Sequence, residues 1–297
     1  MLTLEAFAKV NRSLVVRGRR PDGYHEIDTL FETVDLSDRL SFSGAETLGL
    51  RSDDPSIPTG ESNLVLKAAR HLAAEAGVPA RGQVWLTKRI PSGGGLGGGS
   101  SDAAAALRGF SALWRVSPGA DDLRRIAAGL GSDVAFFLHG GRARGTGRGE
   151  VVSPLPDAER PEWLVLVFPP FPMPTPDVYR ALGAPELTGG DTPPNLSASV
   201  PGEFPDRNDL EAAAERLRPE LAEIRRRLAD LGARSARLSG SGSTVFGVFA
   251  GPDEAERVRR RLVGGLPEGT RTRAARTLSR AEFERRSAPE AARGGER

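Results

Sequence analysis

The sequence contains no cysteine, which removes disulfides and thiolate metal sites, and its three histidines (His25, His71, His139) are too scattered along the chain to suggest a metal cluster. Long apolar runs are also missing. The longest, LVLVF at 164–168, is far too short to span a bilayer, and the first 17 residues carry Glu5 and Lys9 and lack an apolar core of signal-peptide length. These absences lead us to expect an untargeted cytoplasmic protein with no membrane partner. Nor is there an excess of charge of one sign: 41 basic against 39 acidic groups leave +2, so the composition does not call for a nucleic-acid partner. Lysine is scarce. Only Lys9, Lys67 and Lys88 stand among the 41 basic residues, so each raises the question of why a compact ammonium was kept in a chain that otherwise uses arginine.

What is present is ordinary globular chemistry, 297 residues with 38% hydrophobic and 27% charged, enough for one large or two medium domains. Polar and apolar positions alternate over 1–17 and 28–50, predicting strands joined by the turn segment GRRPDGYHE (18–26). Helical spacing over 63–76 is followed by a strand at 83–90, an Ala-rich helix at 100–114 and a second helix at 121–130. GSDVAFFL then reads as a turn leading into a strand, and GGRARGTGRGE as a hairpin-like stretch. The Pro-rich, charged segment VVSPLPDAERP marks a boundary, giving an N-terminal domain over 1–155 and a C-terminal one over 156–285. The second contains a polar loop at 185–205 and alternates strands and helices as an α+β sandwich; residues 286–297 read as a flexible tail.

Chemistry concentrates at PSGGGLGGGSSD (91–102), six glycines in seven positions between a strand and a helix. Glycine permits positive φ and close approach to a ligand, and the following helix offers unpaired N–H groups and a positive dipole end, so a phosphate fits there. A flexible linker is the plainer alternative, but it has no reason to sit between a strand and a strong helix start. A Walker A loop fails for want of a closing Gly-Lys-Ser/Thr, and the dinucleotide fingerprint lacks the acidic strand end that should follow.

The segment resembles the phosphate loop of the GHMP kinases, and the resemblance extends over nearly residues 3–280 through FAKVN (7–11), GRRPDGYHEIDTLF (18–31), LGSDVAFFLHGGRARGTGRGE (130–150), PTPDVY (174–179), NDLE (208–211) and RLSGSGSTVFGVF (237–249). It implies an α+β GHMP kinase fold, with a β-rich N-terminal domain like ribosomal protein S5, a C-terminal α+β sandwich, and the active site in the cleft between them. The order of the motifs matches the branch that uses ATP to phosphorylate the 2-hydroxyl of a CDP-linked methylerythritol, in the non-mevalonate route to isoprenoid precursors. A GHMP kinase for another small alcohol, or a nucleotide-binding protein without turnover, is the rival reading.

By that resemblance Asp133 takes the hydroxyl proton, where the residues alone would equally allow a turn or capping aspartate. Lys9, among apolar neighbours, is placed beside Asp133 to hold its charge and position the hydroxyl; otherwise it is a lysine whose stem lies along the sheet with its ammonium in water. Asn11 follows two residues on and shares its face of the strand, so the two can address one substrate, and Asn11 is assigned to substrate binding. Tyr24 and His25 are assigned to the cytidine, with Thr175 and Tyr179 from the second domain, the two tyrosines sandwiching the pyrimidine; a surface histidine and a core tyrosine are the alternatives. Asn63 and Lys88 match positions lining the adenosine pocket, and Pro91, Ser92, Gly93, Gly94, Gly95, Leu96, Gly97, Gly98, Gly99, Ser100 and Ser101 form the ATP cradle. SGSG at 239–242 matches a third glycine motif or is a tight turn. ATP is the co-substrate and Mg²⁺ is inferred from its chemistry, without identifiable ligands. Monomer and homodimer both stay open. The chain departs from the family pattern at Phe7, Arg12 and Ala135, and Arg12 is expected to face away from the core.

Overall fold

The structure is a computed structural model and describes residues 1–185 and 204–291. The predicted opening strands are β1 (Leu2–Arg19) and β2 (His25–Ser43), paired antiparallel along almost their whole length. β3 (Leu48–Ser52) follows, then α1 (Leu64–Ala76), β4 (Gly82–Thr87), α2 (Gly98–Trp114), α3 (Ala120–Leu130), α4 (Phe136–His139) and the hairpin β5 (Arg142–Thr146) with β6 (Val151–Pro154). GSDVAFFL therefore turns into a short helix where a strand was expected, and the helix ends at Gly140 and Gly141, both at positive φ. β1 lies on one edge of β2, while β4 and β5 divide the other.

The second sheet consists of β7 (Trp163–Phe168), β8 (Ser235–Leu238), β9 (Val245–Phe249) and β10 (Arg271–Arg276) in the order β10-β7-β9-β8. Its apolar core takes in α5 (Thr175–Leu182), α6 (Glu211–Leu217), α7 (Glu220–Asp230) and α8 (Pro252–Leu262). The chain then returns to the first sheet. α9 (Arg280–Ser287) packs Phe283 against Phe7 of β1, and β11 (Glu290–Ala291) pairs with Leu2 and Thr3. Residues 286–291 are thus part of the fold, a correction to the expected tail: a buried phenylalanine and an open sheet edge hold them. Residues 292–297, and most of the polar loop expected at 185–205, lie outside the described residues. No helix among the described residues is long and apolar enough to cross a membrane.

A β-bulge between Phe7 and Ala8 positions the site. Before it, Leu4 and Ala6 join the core formed with α1, α2 and α3. The bulge resets the alternation, so Ala8 and Val10 turn to a second apolar cluster with Leu164, Leu166, Phe246 and Val248 of the other sheet, and Lys9 and Asn11 come round to the side of Phe31. This shared cluster welds the two sheets. A further irregularity between Asn11 and Ser13 leaves Arg12 without a cross-strand partner. Its guanidinium does not turn away from the core as expected. It lies in the seam, 3.4 Å from Glu32 and 3.1 Å from Glu162, over the Phe246 ring.

Burial pushes the Glu32 carboxyl up to about 7, against the pull of Arg12 and Arg142. Its charge therefore costs nothing below the unfolded value near 4.5 and weighs fully against the fold above about 7, by at most about 3 kcal/mol. Glu32→Gln should gain stability relative to the parent as pH rises from 5 to 8, measured by thermal melts. A melting difference constant across that range would assign Glu32 no such cost.

Candidate active site

Lys9 is 3% exposed, and its ammonium donates to Asn11 Oδ1 at 2.6 Å, stands 3.3 Å from Asp133 Oδ2 and lies 5.5 Å from the Phe31 ring centre. The alternative of a lysine reaching along the sheet to water is excluded. Asn11 also donates from Nδ2 to Thr29 Oγ1 at 2.7 Å, and Thr29 in turn donates to Ser13 O. Its oxygen therefore supports Lys9 and one N–H is anchored by Thr29, which leaves the second N–H for a ligand. Asp133 sits in the turn between α3 and α4, and 29% of its side chain is open to the cavity.

The glycine-rich loop arches over this pair. Gly93, Gly95 and Gly97 have φ of +70°, +75° and +71°, a conformation that L side chains resist. Gly97 is the N-cap of α2 and supplies no side chain, so the first N–H groups of that 17-residue helix remain available to an anion. Two other segments fix the loop: the Lys9 N–H donates to Leu96 O at 3.0 Å, and the 239–244 segment grips it through Ser239 Oγ to Gly95 O and Thr244 N to Gly94 O. SGSG is more than a tight turn. A Cβ on Gly240 would lie 3.2 Å from Asn11 Oδ1 and 3.6 Å from Lys9 Nζ, so this loop closes the lysine's pocket from the second sheet.

These elements line a cavity of about 1040 Å³ between the two sheets. Its walls include Lys9, Asn11, Asp133, Lys88, every residue from Pro91 to Ser100, and Tyr24, His25, Thr175 and Tyr179. Two expected residues are placed differently. Asn63 Oδ1 accepts from Val65 N and so caps α1, its Nδ2 donates one N–H to Pro58 O, and the neighbouring Leu64 is the residue on the wall. Ser101 is buried within α2. Lys88 reaches the wall, yet its ammonium is held between Asp38 at 2.5 Å and Asp102 at 2.9 Å.

At the far end the His25 and Tyr179 rings stack, 4.6 Å between centres at 28°, while Tyr24 is 54% exposed under the Arg148 guanidinium at 4.7 Å. Tyr179 thus faces His25, and the two tyrosines expected to enclose the base each have a different neighbour here, His25 for Tyr179 and Arg148 for Tyr24. Thr175 opens α5 and its hydroxyl is 2.8 Å from Ser241 Oγ. Burial, with Arg19 nearby, lowers the His25 pKa and favours the neutral imidazole, which offers one donor and one acceptor. Burial raises the Tyr179 pKa and Asp133 adds to it, so that hydroxyl keeps its proton. Sequence reasoning missed Arg19, Arg148 and Arg180 on the same walls. The one available signal was the placing of Arg19 and Arg148 inside matched motifs.

Gly97→Val should lower the melting temperature as well as ATP affinity, because its Cβ would press on the fully buried Phe137 ring at 2.8 Å and on Lys9 Cε at 3.3 Å. Gly99→Ala separates the two effects. Its Cβ meets only Leu64 Cδ1 at 4.0 Å, so the fold should hold while a methyl enters the cradle and raises KM for ATP about tenfold. An unchanged KM for ATP in that variant would place the triphosphate elsewhere.

A glycine cradle at a helix head, facing a buried lysine paired with a cavity-exposed aspartate, defines an ATP-dependent phosphotransferase of the GHMP type. Family models agree: "GHMP kinases N terminal domain" matches residues 63–141 and "GHMP kinases C terminal" residues 202–266. The chain is 42% identical over 283 residues to the 4-diphosphocytidyl-2-C-methyl-D-erythritol kinase of Moorella thermoacetica, covering 92% of this chain and 99% of the relative. A crystal structure of 4-(cytidine 5'-diphospho)-2C-methyl-D-erythritol kinase superposes with a TM-score of 0.74 at 42% identity, covering 93% of this chain and 98% of the other. Homoserine kinase from Cytophaga hutchinsonii, 18% identical with a TM-score of 0.67 over 93% of this chain and 95% of its own, shares the fold. The chain belongs, within the GHMP kinases, to the family of 4-diphosphocytidyl-2-C-methyl-D-erythritol kinases.

Proposed function

We propose that this chain transfers the γ-phosphoryl group of ATP to the 2-hydroxyl of 4-diphosphocytidyl-2-C-methyl-D-erythritol, giving the 2-phosphate and ADP, in the cytoplasm and on the non-mevalonate route to isoprenoid precursors. The observation that carries this reading is the Lys9–Asp133 pair, set between the glycine loop and an aromatic end lined by Tyr24, His25 and Tyr179 in one cavity. Triphosphate oxygens receive the N–H groups of the loop and the head of α2. As the hydroxyl oxygen attacks the γ-phosphorus and the bond to the bridging oxygen of ADP breaks, Asp133 accepts the hydroxyl proton and later releases it to water. Lys9, oriented by Asn11, holds Asp133 in place and offsets negative charge gathering on the transferred group.

Neutral His25 presents a donor and an acceptor to the edge of cytosine, Tyr24 and Tyr179 offer ring faces, and Arg148 lies on the wall where a diphosphate must pass. Among the described residues no cluster of three or more His, Asp or Glu forms a metal site. Mg²⁺ bound to ATP would keep most of its waters, and the Ser100 hydroxyl on the cavity wall, next to the cradle, would offer it a protein oxygen. When bound, the ion neutralises charge on the β- and γ-phosphates. A coupled ADP-release assay over a panel of alcohols tests the reading. The CDP-linked polyol should exceed homoserine and mevalonate in kcat/KM by orders of magnitude; equal rates, or a preference for an alcohol without the CDP group, would overturn it.

A further inference from the structure

Two of the three lysine side chains are almost closed to water, Lys9 at 4% and Lys88 at 5% exposure, and the proposed transfer reaction uses only Lys9. Lys88 belongs to a separate arrangement. Asp38, fully buried on β2, accepts from the backbone N–H groups of Arg89 (2.5 Å) and Ile90 (2.9 Å) through Oδ1, and from Lys88 Nζ through Oδ2. The same ammonium reaches Asp102 Oδ2, in the second turn of α2. One strand residue therefore clasps the backbone just before the glycine loop and, through Lys88, the helix just after it. Gly98 packs against this tie: a Cβ there would meet Ile90 Cγ2 at 3.0 Å and Lys88 Nζ at 3.3 Å.

Six glycines in seven positions make a loose backbone, and ordering such a segment around a ligand costs more entropy than ordering one built of other residues. Anchoring both ends removes part of that cost before ATP arrives, which is the general route by which preorganisation gives affinity. The tie is also costly on its own terms. Two carboxylates share one ammonium away from water: burial, together with Asp38, pushes Asp102 up to about 7, and Lys88 is raised because the two carboxylates outweigh its burial. Asp102 Oδ1 has no hydrogen-bond partner. Such an arrangement is weak as a source of stability compared with apolar packing, which points to a geometrical role.

We infer that Asp38, Lys88 and Asp102 form a buried tie that fixes the spacing between the strand end at 88–90 and the head of α2, so that Asp38 and Asp102 are positioning residues for ATP although neither belongs to the proposed phosphate contacts. The inference rests on reading the glycine loop as the ATP cradle. Its test compares Asp102→Ala, Asp102→Asn and the parent in the full chain, by calorimetric titration with ATP and by steady-state kinetics. Asp102→Ala leaves Lys88 paired with Asp38, so no buried charge is orphaned. Its KM and Kd for ATP should rise about 10- to 100-fold, KM for the polyol should stay within about twofold, and Asp102→Asn, which can still accept from Lys88, should recover most of the loss. Asp102→Ser, whose oxygen is too short to reach the ammonium, is the second variant if the alanine protein does not fold, and the same outcomes apply to it. A folded Asp102→Ala or Asp102→Ser protein with parental ATP affinity overturns the tie alone, as does a parallel rise in both KM values. A parent protein without saturable ATP binding overturns the reading of the loop and the tie with it.

Discussion

Asp133→Asn should leave the dissociation constant for ATP within about twofold of the parent and lower kcat by a factor of about 10²–10⁴, the range that removal of a general base produces. The carboxylate is open to the cavity and ion-paired to Lys9, so the isosteric amide keeps the shape of the turn and loses only the proton acceptor and its charge. Single-turnover rates with ATP and the polyol, alongside nucleotide titration, separate chemistry from binding. Near-parental turnover would remove Asp133 from the transfer step. Lys9→Arg should fail to a similar degree. The slot is closed by Phe31, by Asn11 and by the backbone of Gly97 and Gly240, and a planar guanidinium cannot occupy it without displacing one of them. Retained activity in that variant would mean that the site needs only a positive charge.

Tyr179→Ala should raise KM for the CDP-linked polyol roughly 5- to 150-fold, the equivalent of about 1–3 kcal/mol of stacking, with little change in KM for ATP. The ring now lies on His25 and packs on the core beneath α5, so truncation also costs melting temperature, and the contrast between the two KM values is the informative quantity. Tyr179→Phe keeps the face that does the stacking and should be mild. A folded Tyr179→Ala protein with an unchanged polyol KM would show that cytosine never uses this ring. A proportional loss with both substrates would make it a core residue.

Segments in which neighbouring residues carry the whole message were legible before any coordinates. The glycine loop and the helix after it could be proposed from local strings, the Lys9–Asp133 pairing came only through the family resemblance, and the scarcity of lysine drew attention to the two ammonium groups that the fold encloses. Long-range partners were not. Lys88 stands 50 residues from Asp38 and 14 from Asp102, and no local pattern states that a buried charge will be met by those two carboxylates. Asn63 carries two messages in one residue, since its side-chain oxygen caps α1 whether or not its amide nitrogen also meets a ligand. The return of α9 and β11 to the first sheet depends on an unfilled edge and on the buried Phe7, neither visible in a charged, Arg-rich C-terminal sequence. Arg12 escaped because a bulge, invisible in the alternation of β1, turns it into the seam.

The most direct test is the structure of a ternary complex with a non-hydrolysable ATP analogue and the CDP-linked polyol. The account predicts the triphosphate along residues 93–100, the 2-hydroxyl oxygen within hydrogen-bond reach of Asp133 and about 3–3.5 Å from the γ-phosphorus, and cytosine against Tyr179 with its edge on His25. A polyol whose 2-hydroxyl lies beyond reach of Asp133, or a triphosphate seated away from the glycine loop, would contradict it.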